Sequence, residues 1–330
     1  MFNALSNLFG RAFIIAFLLP SIYLNSVILA IFYIFVGGKI FLLNTQFDTN
    51  IENGIVLLFL IWFVAIAILA LNRPIIRFKA GYARWNPIRI LLVIRKREFL
   101  ALQRKIAAGN KAWDDAEARG EQPSEAILTA LAEAKSTMVR DFPHKIELLL
   151  PTKLGNRLRA FEVYSLVVYG LDSSVGWSRL LSVVPSDFLK IVEDEKAQMD
   201  FWINIWLGGW LGLIFYVYMC VYSKDILHLW VLPIIMLISW SSSESASAAA
   251  VRFGILTTSA FDLFRLKLCE QLNMKVPESF EDERKMWELL SQVWIYRSAK
   301  TADKLTPYRK VENKAEIPAS DENGSHPTSV

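Results

Sequence analysis

The sequence predicts an all-α membrane protein with two transmembrane helical hairpins and a mainly helical cytoplasmic domain. Hydrophobic residues make up 54% of the 330 positions and the mean hydropathy is +0.33, whereas soluble domains are about 45–50% apolar. The excess lies in four segments: residues 12–38, 54–71 and 201–223 carry no charge, and 226–243 contains only His228. Because a helix needs about 20 mostly apolar residues to cross a bilayer, we expect four spans.

These segments divide the chain into five parts. We expect a first hairpin at 1–71, with spans at about 12–36 and 54–71, and a second at 201–251, with spans at about 201–223 and 226–245. A cytoplasmic insert fills 72–200, cytoplasmic helices follow at 252–300, and the polar tail 301–330 is predicted to be disordered. The first segment is longer than the apolar core of a signal peptide, so we expect it to be retained as a span.

The distribution of basic residues predicts the orientation. Ten Lys and Arg residues and one acidic residue, Glu98, lie between positions 73 and 105. The connectors 39–53 and 223–228 carry one Lys each. Because cytoplasmic loops are enriched in Lys and Arg, we expect the insert and both termini on the cytoplasmic side.

Apolar residues at helical spacing predict most of the insert to be helical. A helix capped at Ser124 places Ile127, Leu131 and Ala134 on one face, and another begins at Ser186 and continues into the third span. The segment 150–185 is ambiguous because it is richer in Gly, Pro and β-branched residues. Within it, LGN and YGLD are interpreted as turns, with Gly155 and Gly170 supplying permissive backbone and Asn156 and Asp172 capping helices.

Enzymatic signatures are scarce, and we expect a protein that is not an enzyme and holds no metal or cofactor. The sequence contains no phosphate-binding loop, zinc-protease motif or nucleophile elbow. Its histidines, His144, His228 and His326, fall in three different parts of the chain. Such a spread argues against a catalytic or zinc centre, whose ligands must converge.

A single carboxylate in a small-residue stretch is the main candidate for a pore. Residues 241–250 are all Ser or Ala except Glu244. At 1.5 Å per residue, Glu244 lies roughly 27 Å along a helix that begins near position 226, close to the cytoplasmic edge of the membrane. In a symmetric oligomer, Ser243, Glu244 and Ser247 would line a pore, with Glu244 forming an acidic ring that selects cations. Alternatively, Glu244 is simply solvated and the small residues pack the helix.

The basic band after the first hairpin has two interpretations. Juxtamembrane Lys and Arg contact anionic lipids, and this alone would account for the band. Aromatic residues interleaved with the arginines also suit a nucleotide or nucleic acid, whose bases stack on such rings. The candidate ligand-binding residues are Arg84, Trp85, Arg89, Arg95, Lys96 and Arg97.

The segment 150–185 resembles a group of bacterial four-pass membrane proteins. The resemblance is carried by LPTKLGN at 150–156, Tyr164, YGLD at 169–172 and WSRL at 177–180. The acidic helix before the third span and the small-residue fourth span are also similar. In layout, the chain is similar to the channel-type membrane effectors of the Hailong anti-phage defence system.

That resemblance implies a homo-oligomeric channel, with a tetramer expected, in the bacterial inner membrane. It also implies a partner nucleotidyltransferase that makes single-stranded DNA oligomers, which keep the channel closed until infection. The insert would then bind the oligomer and the spans would form the pore. Two alternatives remain open: a membrane-anchored scaffold or receptor that recruits a soluble partner without conducting, and a lipid-modifying enzyme.

Overall fold

The computed structural model of the protein describes residues 10–36, 51–83, 86–223 and 230–310. These ranges are almost entirely helical and contain no strand, only one isolated bridge between Met274 and Arg309. The predicted all-α class is therefore confirmed. In chain order the helices are α1 (Arg11–Phe13, a π-helical turn Ile14–Leu18, and Leu19–Val36), α2 (Ile51–Ala80), α3 (Leu92–Ala118), α4 (Glu125–Asp141), α5 (Lys153–Tyr169), α6 (Ser173–Leu180), α7 (Ser186–Ser223), α8 (Val231–Gln271), α9 (Phe280–Tyr296) and α10 (Ala299–Asp303).

Three helical segments of the described chain are long and apolar enough to cross a membrane: Arg11–Phe35, Gly54–Ala80 and Ser186–Ser223. The apolar face of α2 is largely uncovered, with Phe59 and Phe63 exposed by 72% and 71%. Such a face suits lipid or another subunit rather than water. The predicted fourth span begins in residues outside the described ranges and continues into α8, where serines and Glu244 soon follow the apolar turns.

Helices α7 and α8 lie antiparallel along most of their length. At one end Tyr216 and Met219 of α7 belong to the same apolar cluster as Val231 and Ile235 of α8. Nearer the other end, the rings of Phe188 and Phe264 are 5.3 Å apart and edge to face. The small residues of α8 explain how closely the two helices approach, because buried Ala246, Ala249 and Ala250 share a core cluster with Met199 and Ile203 of α7.

Helix α2 extends beyond the predicted end of the first hairpin. Instead of ending at Leu71, it continues through Pro74 to Ala80, so the predicted boundary at 71/72 falls inside a helix. The extension docks on the start of α5, where the Thr152 hydroxyl donates to the Ala80 carbonyl over 2.9 Å. A Cβ on Gly155 would overlap that same carbonyl, so glycine permits the approach.

A second core forms a helical head from α5, α6, α9 and the C-terminal half of α8. Trp287, Met286, Leu180, Leu171 and Leu268 are among its large, fully buried side chains. Leu305 is also buried in this core, and the Lys275 amide donates to the Tyr308 carbonyl over 2.6 Å. The prediction of disorder from residue 301 is therefore wrong up to Lys310, because an apolar anchor and backbone pairing hold this stretch; residues 311–330 lie outside the described ranges.

The ambiguous segment 150–185 forms the two helices α5 and α6. Gly170 adopts the left-handed conformation (φ 76°) at the end of α5, and the Asp172 carboxylate accepts from the Ser174 amide at the start of α6, as predicted. The prediction for LGN is wrong. Thr152 caps α5 by accepting from the Gly155 amide, whereas Asn156 bonds both the amide and the carbonyl of Leu150.

Candidate functional site

A cavity of about 560 Å³ lies where α3, α4 and α5 meet α8. Its lining includes Arg95 and Lys105 of α3, Asp141 of α4, Lys153 of α5 and Glu244 of α8. The structure therefore brings one predicted ligand-binding residue, Arg95, to the same cavity as one predicted pore-lining residue, Glu244.

Packing between α3 and α4 places Arg95 at the cavity. The rings of Phe99 and Phe142 meet edge to face at 5.7 Å, and Gly109 gives Leu131 room to approach α3 closely. Arg95 precedes the buried Phe99 by four residues, so both side chains lie on the same face of α3. Lys96 and Arg97 are exposed and do not line the cavity.

The remaining predicted ligand residues lie before α3. Arg89 is an exposed residue of a short 3₁₀ helix, Pro87–Leu91, that precedes α3. Arg84 and Trp85 fall outside the described residues, so their predicted role stays a prediction. Of the four predicted residues that the structure describes, Arg95 lines a cavity, whereas Arg89, Lys96 and Arg97 do not.

Charges in the cavity are only partly paired with one another. Arg95 pairs with Glu98 over 2.7 Å, and Lys153 Nζ lies 2.7 Å from Glu244 Oε2. Lys105 forms no ion pair with the carboxylates of the described chain, and the buried Nε of Arg95 lacks a hydrogen-bond partner there. The Lys105 ammonium is therefore left for a bound anion.

Asp141 at the cavity wall is already neutralised by two arginines. Arg157 Nε donates to Asp141 Oδ1 over 2.7 Å, and Arg140 donates to both carboxylate oxygens over 3.0 Å. Burial acts to raise the pKa of Asp141, but the hydrogen bonds and charges of Arg140 and Arg157 outweigh it and lower the pKa below its ordinary value. This carboxylate does not cancel the charge of Lys105 or Arg95.

The three predicted pore-lining residues have different surroundings. The Ser243 hydroxyl accepts from Lys79 Nζ over 2.7 Å, and the same ammonium lies 3.9 Å from the ring centroid of Trp206. Glu244 faces the cavity and Lys153, whereas Ser247 is only 2% exposed and lies inside the subunit. Glu244 therefore lines the 560 Å³ cavity, Ser243 lines a smaller cavity of about 260 Å³ between α7 and α8, and Ser247 lines neither.

A buried polar cluster that sequence reasoning missed joins α1, α2 and α7. Asn72 Nδ2 donates to Asp200 Oδ2 over 3.0 Å, and Lys196 Nζ donates to the same oxygen over 2.6 Å. One turn further along α7, Asn204 Nδ2 donates to the Ala16 carbonyl in the π-helical turn of α1. The sequence did contain a signal for this cluster: Asp200 precedes Asn204 by four residues at the edge of an apolar segment. Residues four apart in a helix lie on the same face.

No group of three or more His, Cys, Asp or Glu side chains placed to hold a metal ion occurs among the described residues. Comparison with protein-family models, with curated proteins and with solved structures finds no match to this chain. The similarity of segment 150–185 to the four-pass family therefore stays a prediction that depends on the motifs themselves.

Proposed function

We propose that the chain forms an oligomeric inner-membrane channel gated by an anionic cytoplasmic ligand, a nucleotide or single-stranded DNA oligomer, in anti-phage defence. One observation carries this proposal: Glu244, the pore-lining candidate, and Arg95, a ligand-binding candidate, line a single cavity. The candidate ligand site then includes a side chain of the candidate pore helix α8. Ligand binding at the cavity therefore changes the surroundings of Glu244.

Lys153 is the proposed link between ligand and pore. Without ligand, its ammonium pairs with Glu244, but the side chains are 35% and 47% exposed, so this pair stabilises the arrangement by only about 0–1 kcal/mol. A phosphate bound by Arg95 and Lys105 attracts Lys153 and releases Glu244. The ligand then biases the channel because it binds the two states with different affinity.

Helix α8 transmits the change because it is continuous from Val231 to Gln271. Its first half packs on α7, and its second half enters the head core through Phe261, Phe264 and Leu268. A shift at Glu244, the fourteenth of its 41 residues, is therefore transmitted toward both ends. The antiparallel course of α8 beside α7 also supports a fourth crossing, which returns the chain to the cytoplasmic side.

Several copies are needed to make a conduit. Helices of a single four-helix bundle fill their own centre and leave no water path. The uncovered face of α2 offers apolar surface for lipid or for another copy. In a cyclic oligomer, Glu244 carboxylates released from Lys153 would form the acidic ring that selects cations.

Ligand-binding measurements and conductance recordings on matched variants test this function. Labelled single-stranded DNA and ATP are titrated onto purified full-length protein at low and moderate salt. The variant R95Q/K105Q/K153Q removes three cavity charges, and K96Q/R97Q/R104Q removes three outside it. We expect the first to weaken binding about 100-fold and the second to cause only a small loss, because charge-assisted hydrogen bonds disappear only in the first.

The same protein is then recorded in planar bilayers. Glu244→Gln should reduce cation selectivity and change the response to bound oligonucleotide, whereas Glu281→Gln, an exposed α9 carboxylate paired with Lys285, should change neither. Absence of binding at low salt, or equal loss in both triple variants, contradicts the gating proposal. A monomer without conductance contradicts the channel itself.

A membrane-anchored receptor is the second candidate, favoured by a groove of about 710 Å³ between α3, α4 and α5. Its walls include Phe99, Met138, Val139, Phe142 and Val163, and Val139 is largely exposed. An apolar groove of this kind suits a partner helix. Oligonucleotide binding without any conductance in planar bilayers would favour this function.

A further inference from the structure

We propose that a second cavity, of about 870 Å³ between α2 and α7, binds the headgroup and upper acyl chains of an anionic phospholipid. Arg73 and Arg77 of α2 line it together with Tyr82, and Trp206 and Leu207 of α7 form the opposite wall. It shares no residue with the cavity at Glu244.

The charge of this cavity selects an anion. Arg73 and Arg77 lie one helical turn apart on α2, and both are exposed. Neither forms an ion pair with a carboxylate of the described residues, and none of the described carboxylates lines the cavity. Two guanidinium groups at this spacing suit a phosphate, because each presents a planar fork of N–H donors.

The apolar walls select a lipid over a soluble phosphate compound. Leu71, Ile75 and Phe78 of α2 face Leu207 and Trp206 of α7 across the cavity. Trp206 also contacts Lys79, whose Nζ lies 3.9 Å from the ring centroid and donates to Ser243. A nucleotide would leave such walls unfilled, whereas acyl chains match them.

The position along both helices fits the edge of a membrane. On α2, the uncharged residues 54–71 end just before Arg73, and on α7 the uncharged residues 201–223 begin just before Trp206. Both transitions from apolar to charged sequence occur at this cavity. Basic pockets between membrane helices at the cytoplasmic edge are known binding sites for anionic lipid headgroups.

Occupancy of the cavity would brace the junction of α2, α7 and α8. The lipid would contact α2 and α7 directly, and Trp206, Lys79 and Ser243 continue the contact to α8. Bound phosphatidylglycerol should therefore raise the melting temperature of the purified protein.

Lipid titration of the full-length protein in detergent tests the site. Phosphatidylglycerol, phosphatidylcholine and inorganic phosphate are added separately, and retained lipid is measured by native mass spectrometry alongside the melting temperature. We expect phosphatidylglycerol to bind at least about tenfold more tightly than phosphatidylcholine, since each arginine near the surface contributes to anion attraction. Inorganic phosphate should neither bind comparably nor displace the lipid.

Two double variants that each remove two positive charges test whether the lipid preference arises at this cavity. R73Q/R77Q should abolish the preference for phosphatidylglycerol, whereas R97Q/R104Q, which removes two exposed arginines of α3 outside the cavity, should retain it. If R73Q/R77Q fails to fold, R73K/R77K is used instead. It keeps the charge but loses the planar guanidinium donors, and it should show a reduced preference for phosphatidylglycerol. Equal binding of the two lipids by the wild type, or equal loss in both glutamine variants, overturns the proposal. The assay involves neither oligonucleotide nor conductance, so its result is independent of the gating proposal.

Discussion

Asp141 is the residue at which the cavity wall and the head are held together. It ends α4, lines the cavity, and accepts hydrogen bonds from Arg140 beside it and from Arg157 of α5. The side chains of Asp141 and Arg157 are only 13% and 9% exposed, so this ion pair is largely withdrawn from solvent. Removing one member of such a pair leaves the other charge uncompensated.

Asp141→Asn should lower the free energy of unfolding by about 1.5–3 kcal/mol at pH 7, the contribution of hydrogen bonds to a charged group. Because the pKa of Asp141 is lowered in the folded protein, its contribution is present at neutral pH and is lost as the pH falls below the ordinary value of 3.8. Melting temperatures of wild type and variant, measured in detergent between pH 7 and pH 3, should therefore converge toward acid pH.

Asp187→Asn is the matched control, because that carboxylate pairs with Lys190 but is 89% exposed. It should leave stability nearly unchanged across the same pH range. A pH-independent difference between wild type and Asp141→Asn would mean that the carboxylate charge has no part in stabilising the cavity wall.

At the scale of elements, the contact between the end of α2 and the start of α5 joins the apolar bundle to the head. Gly155 lies in the first turn of α5, directly against the Ala80 carbonyl, and Gly81 follows with φ 86° to turn the chain away. No longer side chain fits at Gly155 without moving α2 away from α5.

Gly155→Ala should destabilise the protein by about 1–3 kcal/mol, the usual cost of overpacking a close contact. Gly54→Ala in α2 is the control: a Cβ there meets no atom within 4 Å, and alanine favours a helix by up to about 1 kcal/mol. Thermal unfolding followed by circular dichroism distinguishes the two. Equal melting temperatures for both variants would contradict the close docking of α2 on α5.

Local sequence patterns predicted where the helices lie better than they predicted the contacts between helices. Apolar periodicity and caps indicated α4 and the start of α7, and YGLD indicated a turn because Gly170 and Asp172 act through their own neighbours. LGN was misread because Gly155 is required by Ala80, which lies 75 positions earlier and is invisible to a local pattern. The end of α2 was likewise missed, since Pro74 and the arginines resemble a helix boundary.

Only some residues of the site could be predicted, because the others are brought to it by contacts between distant parts of the chain. Glu244 and Arg95 stood out by composition, but Lys153 is 91 residues from its partner and Lys105 belongs to a band of many cations. Selecting the cations that face the cavity requires the packing of α3 on α4, which places Arg95 inside and Lys96 and Arg97 outside.

At the scale of the whole molecule, the course of α7 and α8 bears on the number of crossings, and the fourth crossing stays a prediction. If α7 crosses the membrane, we expect α8 to return, because Val231 and Ile235 lie beside the C-terminal end of α7 while Phe264 lies beside Phe188 near its start. Serines lower the hydropathy of α8, but Ser239, Ser242 and Ser247 are buried within the chain, and the Ser242 hydroxyl donates to the Ile238 carbonyl. Buried, self-bonded serines are compatible with a membrane helix.

Cysteine labelling of intact cells tests this topology. Gln122→Cys places a thiol in the exposed turn between α3 and α4, and Asp225→Cys places one in the predicted outer connector 223–228. With four crossings and a cytoplasmic head, a membrane-impermeant maleimide should label position 225 in intact cells and position 122 only after permeabilisation.

Native thiols should interfere little with this measurement. Cys269 is buried in the head, and burial raises its thiol pKa to about 11, so little reactive thiolate forms at neutral pH. Cys220 lies in the apolar half of α7 and is replaced by serine as a precaution. Labelling of position 122 in intact cells would put the head outside and remove the basis for a cytoplasmic ligand. Protection of position 225 until permeabilisation would mean that the connector does not reach the outside, and the paired crossing of α7 and α8 would fail with it.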